Sequence, residues 1–147
     1  MQRRSFLQLL SGLAASLLLA PVTVLAALWH RAAFESATVP GALKSLAIPR
    51  ETPSADIEIV APDRAENGAV VQVEVTSRIP NTEAIAILAE KNPTPLIANF
   101  MFSNGAEPFV ITRIKMAETS DIQVIVKVGD QYFKASRQVE VLENGCN

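Results

Sequence analysis

Two-residue alternation, repeated in three separate stretches, decides what this chain can fold into. Val71, Val73 and Val75 alternate with Gln72, Glu74 and Thr76. Ile122, Val124, Val126 and Val128 alternate with Gln123, Ile125 and Lys127, and Ile57 and Ile59 bracket Glu58. Successive side chains of an extended strand point to opposite faces, so each stretch lays an apolar row against a core and leaves its second face at least partly wet. Shorter apolar segments at 84–89, 96–102, 109–116, 132–135 and 138–142, several of them β-branched, supply further strands. Turn residues separate them: Glu66-Asn67-Gly68, Pro80-Asn81, Asn92-Pro93-Thr94-Pro95, Asn104-Gly105 and Gly129-Asp130. Seven or eight short strands at this spacing predict an all-β fold, an antiparallel two-sheet sandwich of immunoglobulin-like topology, with a small closed barrel as the alternative.

Upstream of the strands, Ala42, Leu43, Leu46 and Ala47 fall at helical spacing after Pro40, which predicts a short helix lying on the main body. Residues 49–56, with Pro49, Pro53 and polar neighbours, read as a loop. Within the strands, Ile125 shares a face with Gln123 and Lys127, and Phe100 and Phe102 share one side of a neighbouring strand. Apolar surface there needs cover, either from a second subunit or from the helix after Pro40.

The first 26 residues carry a different pattern. The basic pair Arg3-Arg4 is followed by an apolar run at 13–25, interrupted by Pro21 and Thr23, and by small residues up to Ala26, the three-part layout of an export signal. Arg3 and Arg4 followed by Ser5, Phe6 and Leu7 match the twin-arginine export motif, with Gln8 in place of the common lysine. An ordinary secretory signal or an uncleaved anchor is the competing reading. Cleavage after Ala26 divides the chain into a signal at 1–26, a helix and loop at 27–56, a sandwich at 57–142 and a tail at 143–147, with the mature protein expected in the periplasm.

Catalytic residues are scarce. Hydrophobic residues make up 49% of the chain, charged residues 19%, and the formal net charge is -2, a balance that suggests neither a nucleic-acid binder nor a disordered protein. The single histidine, His30, lies next to the cleavage site, which argues against a histidine-dependent triad or metal cluster within the sandwich. Glycines are scattered singly among turns and make no phosphate loop. Asp56, Glu58, Asp63 and Glu66 gather near one strand end without the spacing of a calcium loop, and read as a solvated face. No catalytic residue, metal ligand or cofactor is therefore assigned.

Two features remain for function. Arg113 and Lys115 project from one face of a strand whose other face carries Val110, Ile114 and Met116, so they form either a solvated surface or a candidate docking strip for an anion or a protein. The only cysteine, Cys146, sits in the terminal run Glu143-Asn144-Gly145-Cys146-Asn147, beyond the last strand. One cysteine cannot close an internal bridge in an oxidising compartment. Glu143 and the terminal carboxylate oppose thiolate formation, so the thiol reads as a group worked upon by other proteins rather than as a nucleophilic catalyst.

These stretches resemble the SoxY family, the cysteine-bearing half of the SoxYZ complex of bacterial thiosulfate oxidation. The resemblance runs through Ala61-Pro62, 66–71, 90–96 and 112–121, and the twin-arginine signal agrees with it. It implies a periplasmic covalent carrier that holds sulfur intermediates on Cys146 and is not itself an enzyme. The implied partners are a SoxZ-like β-sandwich subunit, a haem-containing enzyme that couples thiosulfate to the cysteine, a metal-dependent hydrolase that releases sulfate, and a sulfane dehydrogenase. Haem and metals belong to those partners. Family members end Gly-Gly-Cys-Gly-Gly; here Gly145 and Cys146 carry over, whereas Asn144 and Asn147 replace glycines and one residue, not two, follows the cysteine. The tip is thus shorter and bulkier than the family pattern. An exported binding or scaffold protein with a diverged cysteine tail is the alternative reading.

Overall fold

The computed structural model describes residues 30–143. The export signal, the proposed cleavage site and the cysteine-bearing residues 144–147 lie outside the described residues. Among the described residues, two short helices, α1 (Arg31–Phe34) and α2 (Val39–Ser45), precede nine strands. These are β1 (Thr52–Pro53), β2 (Ile57–Val60), β3 (Arg64–Asn67), β4 (Val71–Ser77), β5 (Ala84–Ala89), β6 (Leu96–Met101), β7 (Phe109–Ile114), β8 (Ser120–Val128) and β9 (Gln131–Glu143).

The strands make an immunoglobulin-like sandwich. The larger sheet runs β1-β9-β8-β5-β6, with β3 also paired to β9, and the smaller runs β2-β4-β7. The long pairings β4–β7, β5–β6, β5–β8 and β8–β9 are antiparallel, as the alternation predicts. The purely antiparallel expectation fails in two places: β1 and β3 both run parallel to β9. β1 lies in the stretch read as a loop and β3 overlaps the turn read at Glu66-Asn67-Gly68. The segments 132–135 and 138–142, expected as separate strands, are one strand. Nothing between them breaks an extended chain, since Ser136 and Arg137 are neither proline nor glycine.

The two sheets meet across a core of Val71, Val73 and Val75 from β4, Ile85 and Ile87 from β5, Ile114 from β7, Ile122, Val124 and Val126 from β8, and Val139 and Val141 from β9. Full burial of such side chains is worth about 1.5–3 kcal/mol each. A second core lies on the opposite face of the larger sheet. Here Ala33 of α1, Ala42 and Leu43 of α2, and Ile48 pack on Ala86, Leu88, Leu96 and Ile125. All six residues of β5 are buried, as a strand covered on both faces requires.

This second core decides between the two covers considered for the β8 face, in favour of the helix after Pro40. Ile125 is 2% exposed and Gln123 8%, so the face marked by Gln123 and Lys127 is covered by the helical layer rather than wet. Phe100 and Phe102 likewise pack against the inter-sheet core. Ile125 is thus covered within the chain, and Phe100 and Phe102 are partly so.

α2 starts where its sequence allows. Thr38, in an extended conformation, accepts a hydrogen bond on Oγ1 from the Gly41 N–H at 3.2 Å, and proline follows in the first turn, where its missing N–H costs nothing. Gly41 is required by space: a Cβ there would lie 2.4 Å from Ser36 Oγ and 2.9 Å from Thr38 Oγ1, the capping atom itself.

The contrast between the covered and open faces is testable. Ile125→Ala is expected to destabilise the protein by about 2–5 kcal/mol, because it empties space between the helical layer and the sheet. Ile111→Ala, on the open face of β7, is expected to change stability by less than about 0.5 kcal/mol. Denaturant unfolding of both variants checks the pair, and equal losses would contradict the layer assignment.

Candidate functional site

The end of β9 roots the tail that carries Cys146, and the structure ties that root down from several sides. β9 pairs with β8 from Gln131 to Val139 and with β3 from Glu140 to Glu143, through Arg64↔Glu140, Ala65↔Val141 and Asn67↔Glu143. The Gly68 N–H donates to the Glu143 carbonyl at 2.9 Å, and the Met116 N–H donates to the Gly68 carbonyl at 2.8 Å. The Val141 N–H donates to Thr119 Oγ1 at 2.8 Å, and the Glu140 N–H to the Asp63 carbonyl at 2.9 Å. Hydrogen bonds from separate segments thus hold the last described residues of the chain.

Side chains add to this. Arg64 Nε donates to Glu140 Oε2 at 2.7 Å, and Arg137 donates to Asp63 Oδ1 at 2.8 Å. The hydrogen bond from Arg64, followed by its positive charge, holds the Glu140 carboxyl below the ordinary carboxylate range and raises the Arg64 guanidinium in turn. Both groups are exposed, so the pair orients the β3–β9 edge more than it stabilises it.

Cys146 and its neighbours Asn144, Gly145 and Asn147 lie outside the described residues, as do Arg3, Arg4, Phe6 and Leu7. Chain length alone bounds the thiol. Three residues span at most about 10 Å, which bounds the distance of the Cys146 backbone from Glu143.

Arg113 and Lys115 occupy the places their alternation predicts. Both are exposed, while Val110, Ile114 and Met116 face inward. The strand β7 is an edge of the smaller sheet, and its end is fixed by Asn92. The Asn92 side-chain amide donates to the Lys115 carbonyl at 2.7 Å, and its Oδ1 accepts from the Ala117 N–H at 2.8 Å. Lys115 directly precedes Met116, whose N–H holds Gly68 against Glu143, so the cationic end of β7 and the root of the tail lie at the same end of the sandwich. Sequence reasoning assigned Asn92 only to a turn. Its anchoring role depends on a segment 23 residues away, which no local pattern reveals.

The other candidates do not converge. Glu58 of β2 is paired with Arg78, and Asp63, just before β3, with Arg137 of β9, and among the described residues no three His, Cys, Asp or Glu side chains are grouped to hold a metal ion. His30 sits at the entrance to α1 without capping it, at the rim of a groove of about 260 Å³ lined by Leu46, Ala84, Ala86, Ile125 and Tyr132.

Comparison with known proteins gives a consistent answer. The family described as "Sulfur oxidation protein SoxY" matches residues 43–146, a span that reaches Cys146. A solved structure of the sulfur carrier protein SoxY from Chlorobium limicola f thiosulfatophilum is 34% identical, covers 74% of this chain and 96% of its own, and superposes with a TM-score of 0.66. The superoxide reductase (neelaredoxin) from Ignicoccus hospitalis, 20% identical over 58% of this chain and 78% of its own with a TM-score of 0.51, shares the fold alone. No curated protein matches. The resemblance read from residues 61–121 therefore holds across the folded domain and on into the tail, and the chain belongs to the SoxY family of sulfur oxidation proteins.

Proposed function

We propose that this protein is a periplasmic covalent sulfur carrier in thiosulfate oxidation, which holds its cargo on Cys146 and presents it to partner enzymes. The observation that carries the reading is the family match running through Cys146, joined to a strand whose end is pinned to the fold immediately before that tail. A carrier needs a rigid body to be recognised and a thiol beyond the body's surface to be reached. The anchoring of Glu143 by Gly68 and of Val141 by Thr119 supports the first, and the second is read from the sequence, in which Cys146 follows Glu143 by three residues.

The chemistry asks nothing of this chain except the thiol. Coupling joins the Cys146 thiolate to the outer sulfur of thiosulfate, forms a Cys-S-S-sulfonate and releases two electrons, which a haem-containing partner accepts. Hydrolysis then consumes water, breaks the bond between sulfur and sulfonate, and yields sulfate, protons and a persulfide on Cys146. A metal-dependent hydrolase performs that step, and a sulfane dehydrogenase takes the remaining sulfur. Haem and metal reside in these partners, and a SoxZ-like β-sandwich subunit completes the carrier as a heterodimer.

Cys146→Ser is expected to leave thermal stability within about 0.5 kcal/mol of the wild type, since a residue at the tip contributes little buried area. It is also expected to abolish the thiosulfate-dependent increase in protein mass when the variant is incubated with the coupling enzyme, because conjugation needs the thiolate. Retained loading would contradict the assignment of Cys146.

Export is read from the paired guanidiniums of Arg3 and Arg4, with Phe6 and Leu7 completing the motif. Replacing both arginines by lysine is expected to leave the precursor in the cytoplasm, as cell fractionation and immunoblotting would show. Normal periplasmic accumulation of the double variant would assign the protein to the general secretory route.

A further inference from the structure

The cargo proposed for Cys146 carries a sulfonate, and the end of the sandwich at which β9 stops already holds negative charge. Glu66 and Glu143 are exposed there, while Glu140 is paired with Arg64 and Glu118 with Lys91. An anion brought to that end meets like charges, and salt screens the repulsion only in part. Cations within reach set how large the cost is.

Among the described residues, Lys44, Arg50, Arg113 and Lys115 are the lysines and arginines that pair with no carboxylate. Lys44 belongs to α2, and Arg50 precedes β1, which meets β9 at Phe133 and Lys134, about 30 Å of strand away from Glu143. Arg113 and Lys115 stand at the near end instead. They alternate with the buried Ile114 and Met116 on the outer side of an edge strand, about 7 Å apart. Gln72 lies beside Arg113 in the sheet; the acids of that face sit further back, Glu74 beside Ile111 and Glu58 beside Thr76.

The link to the tail is short. The Met116 N–H, next to Lys115, donates to the Gly68 carbonyl at 2.8 Å, and the Gly68 N–H donates to the Glu143 carbonyl at 2.9 Å. Two such backbone steps of about 4.8 Å put Met116 on the order of 10 Å from Glu143. Three residues of tail span a similar distance, at most about 10 Å, so chain length allows a group on Cys146 to meet the Lys115 side chain.

We propose that Arg113 and Lys115 form an anion site for the cargo of Cys146, attracting the incoming sulfur oxyanion and holding the sulfonate of the loaded tail at the end of β7. The proposal rests on the carrier reading given above and adds to it the residues that receive the negative charge. The arginine offers a planar fork of N–H donors to the sulfonate oxygens and the lysine a point charge. Neither touches the sulfur that reacts, so both are positioning residues.

Tetrathionate tests this without a partner enzyme. The Cys146 thiolate attacks an inner sulfur of that dianion, a new sulfur–sulfur bond gives Cys-S-S-sulfonate, and thiosulfate leaves with the electron pair of the bond that breaks. Mass spectrometry of the mature chain follows the rate, and uncharged iodoacetamide reports the reactivity of the thiol itself. Arg113→Gln with Lys115→Gln is expected to lower the ratio of tetrathionate to iodoacetamide rates by more than about threefold at low salt, and by less as salt rises. Lys44→Gln with Arg50→Gln removes the same charge elsewhere and is expected to leave the ratio unchanged. Melting curves that match the wild type establish that both variants are folded. A ratio unchanged in the first variant, or lowered equally in the second, would overturn the anion site and leave the carrier reading standing. A wild-type Cys146 that takes iodoacetamide but never the tetrathionate-derived mass would overturn the carrier reading, and the anion site with it.

Discussion

Burial of β5 and β8 on both faces is the constraint from which the rest of the structure follows. Ile85, Ile87, Ile122, Val124 and Val126 point into the sandwich, while Ala86, Leu88 and Ile125 point the other way. A sheet whose central strands are apolar on both sides is stable only between two layers. The smaller sheet supplies one layer. α1, α2 and Ile48 supply the other, with Ala33 and Ala42 small enough to sit close against it. The N-terminal helices are thus part of the fold's support, and a chain shorn of them would expose Ile125 and Leu88 to water.

That arrangement also decides where function can reside. With the central strands spent on packing, the end of β9, the edges at β6 and β7 and the outer face of the smaller sheet remain open among the described residues. The end of β9 is fixed by hydrogen bonds from Gly68 and Thr119, and the end of β7 by Asn92. The exposed cations Arg113 and Lys115 and the last described residue of β9 therefore share one end of the sandwich.

Much of this is legible in the sequence, for identifiable reasons. The alternation at 71–76 and 122–128 is the direct imprint of strands with one face in a core, and β7 shows its inward and outward residues as read. The cover of Ile125 is left open between a second subunit and the helix after Pro40 because Gln123 and Lys127 flank it. A polar neighbour marks a wet face only when nothing packs over that face, and the covering helices lie far upstream in the chain. β1 and β3 escape notice because two or four mostly exposed residues pairing in parallel with β9 have no apolar row to betray them. The merging of two expected strands into β9 is missed because a dip in hydrophobicity at Ser136 and Arg137 resembles a turn although neither residue is proline or glycine. The family, by contrast, is readable because its stretches span most of the folded domain and lead into Cys146, whereas the anchoring of that tail depends on contacts made only after folding.

The central claim is that Cys146 carries sulfur during thiosulfate oxidation. Intact-mass spectrometry of the mature protein, isolated from cells oxidising thiosulfate and followed by peptide mapping, tests it most directly. Mass increments of sulfur and thiosulfonate, confined to the C-terminal peptide and removed by a thiol reductant, are the result this account predicts. An unmodified Cys146 throughout active turnover would contradict it.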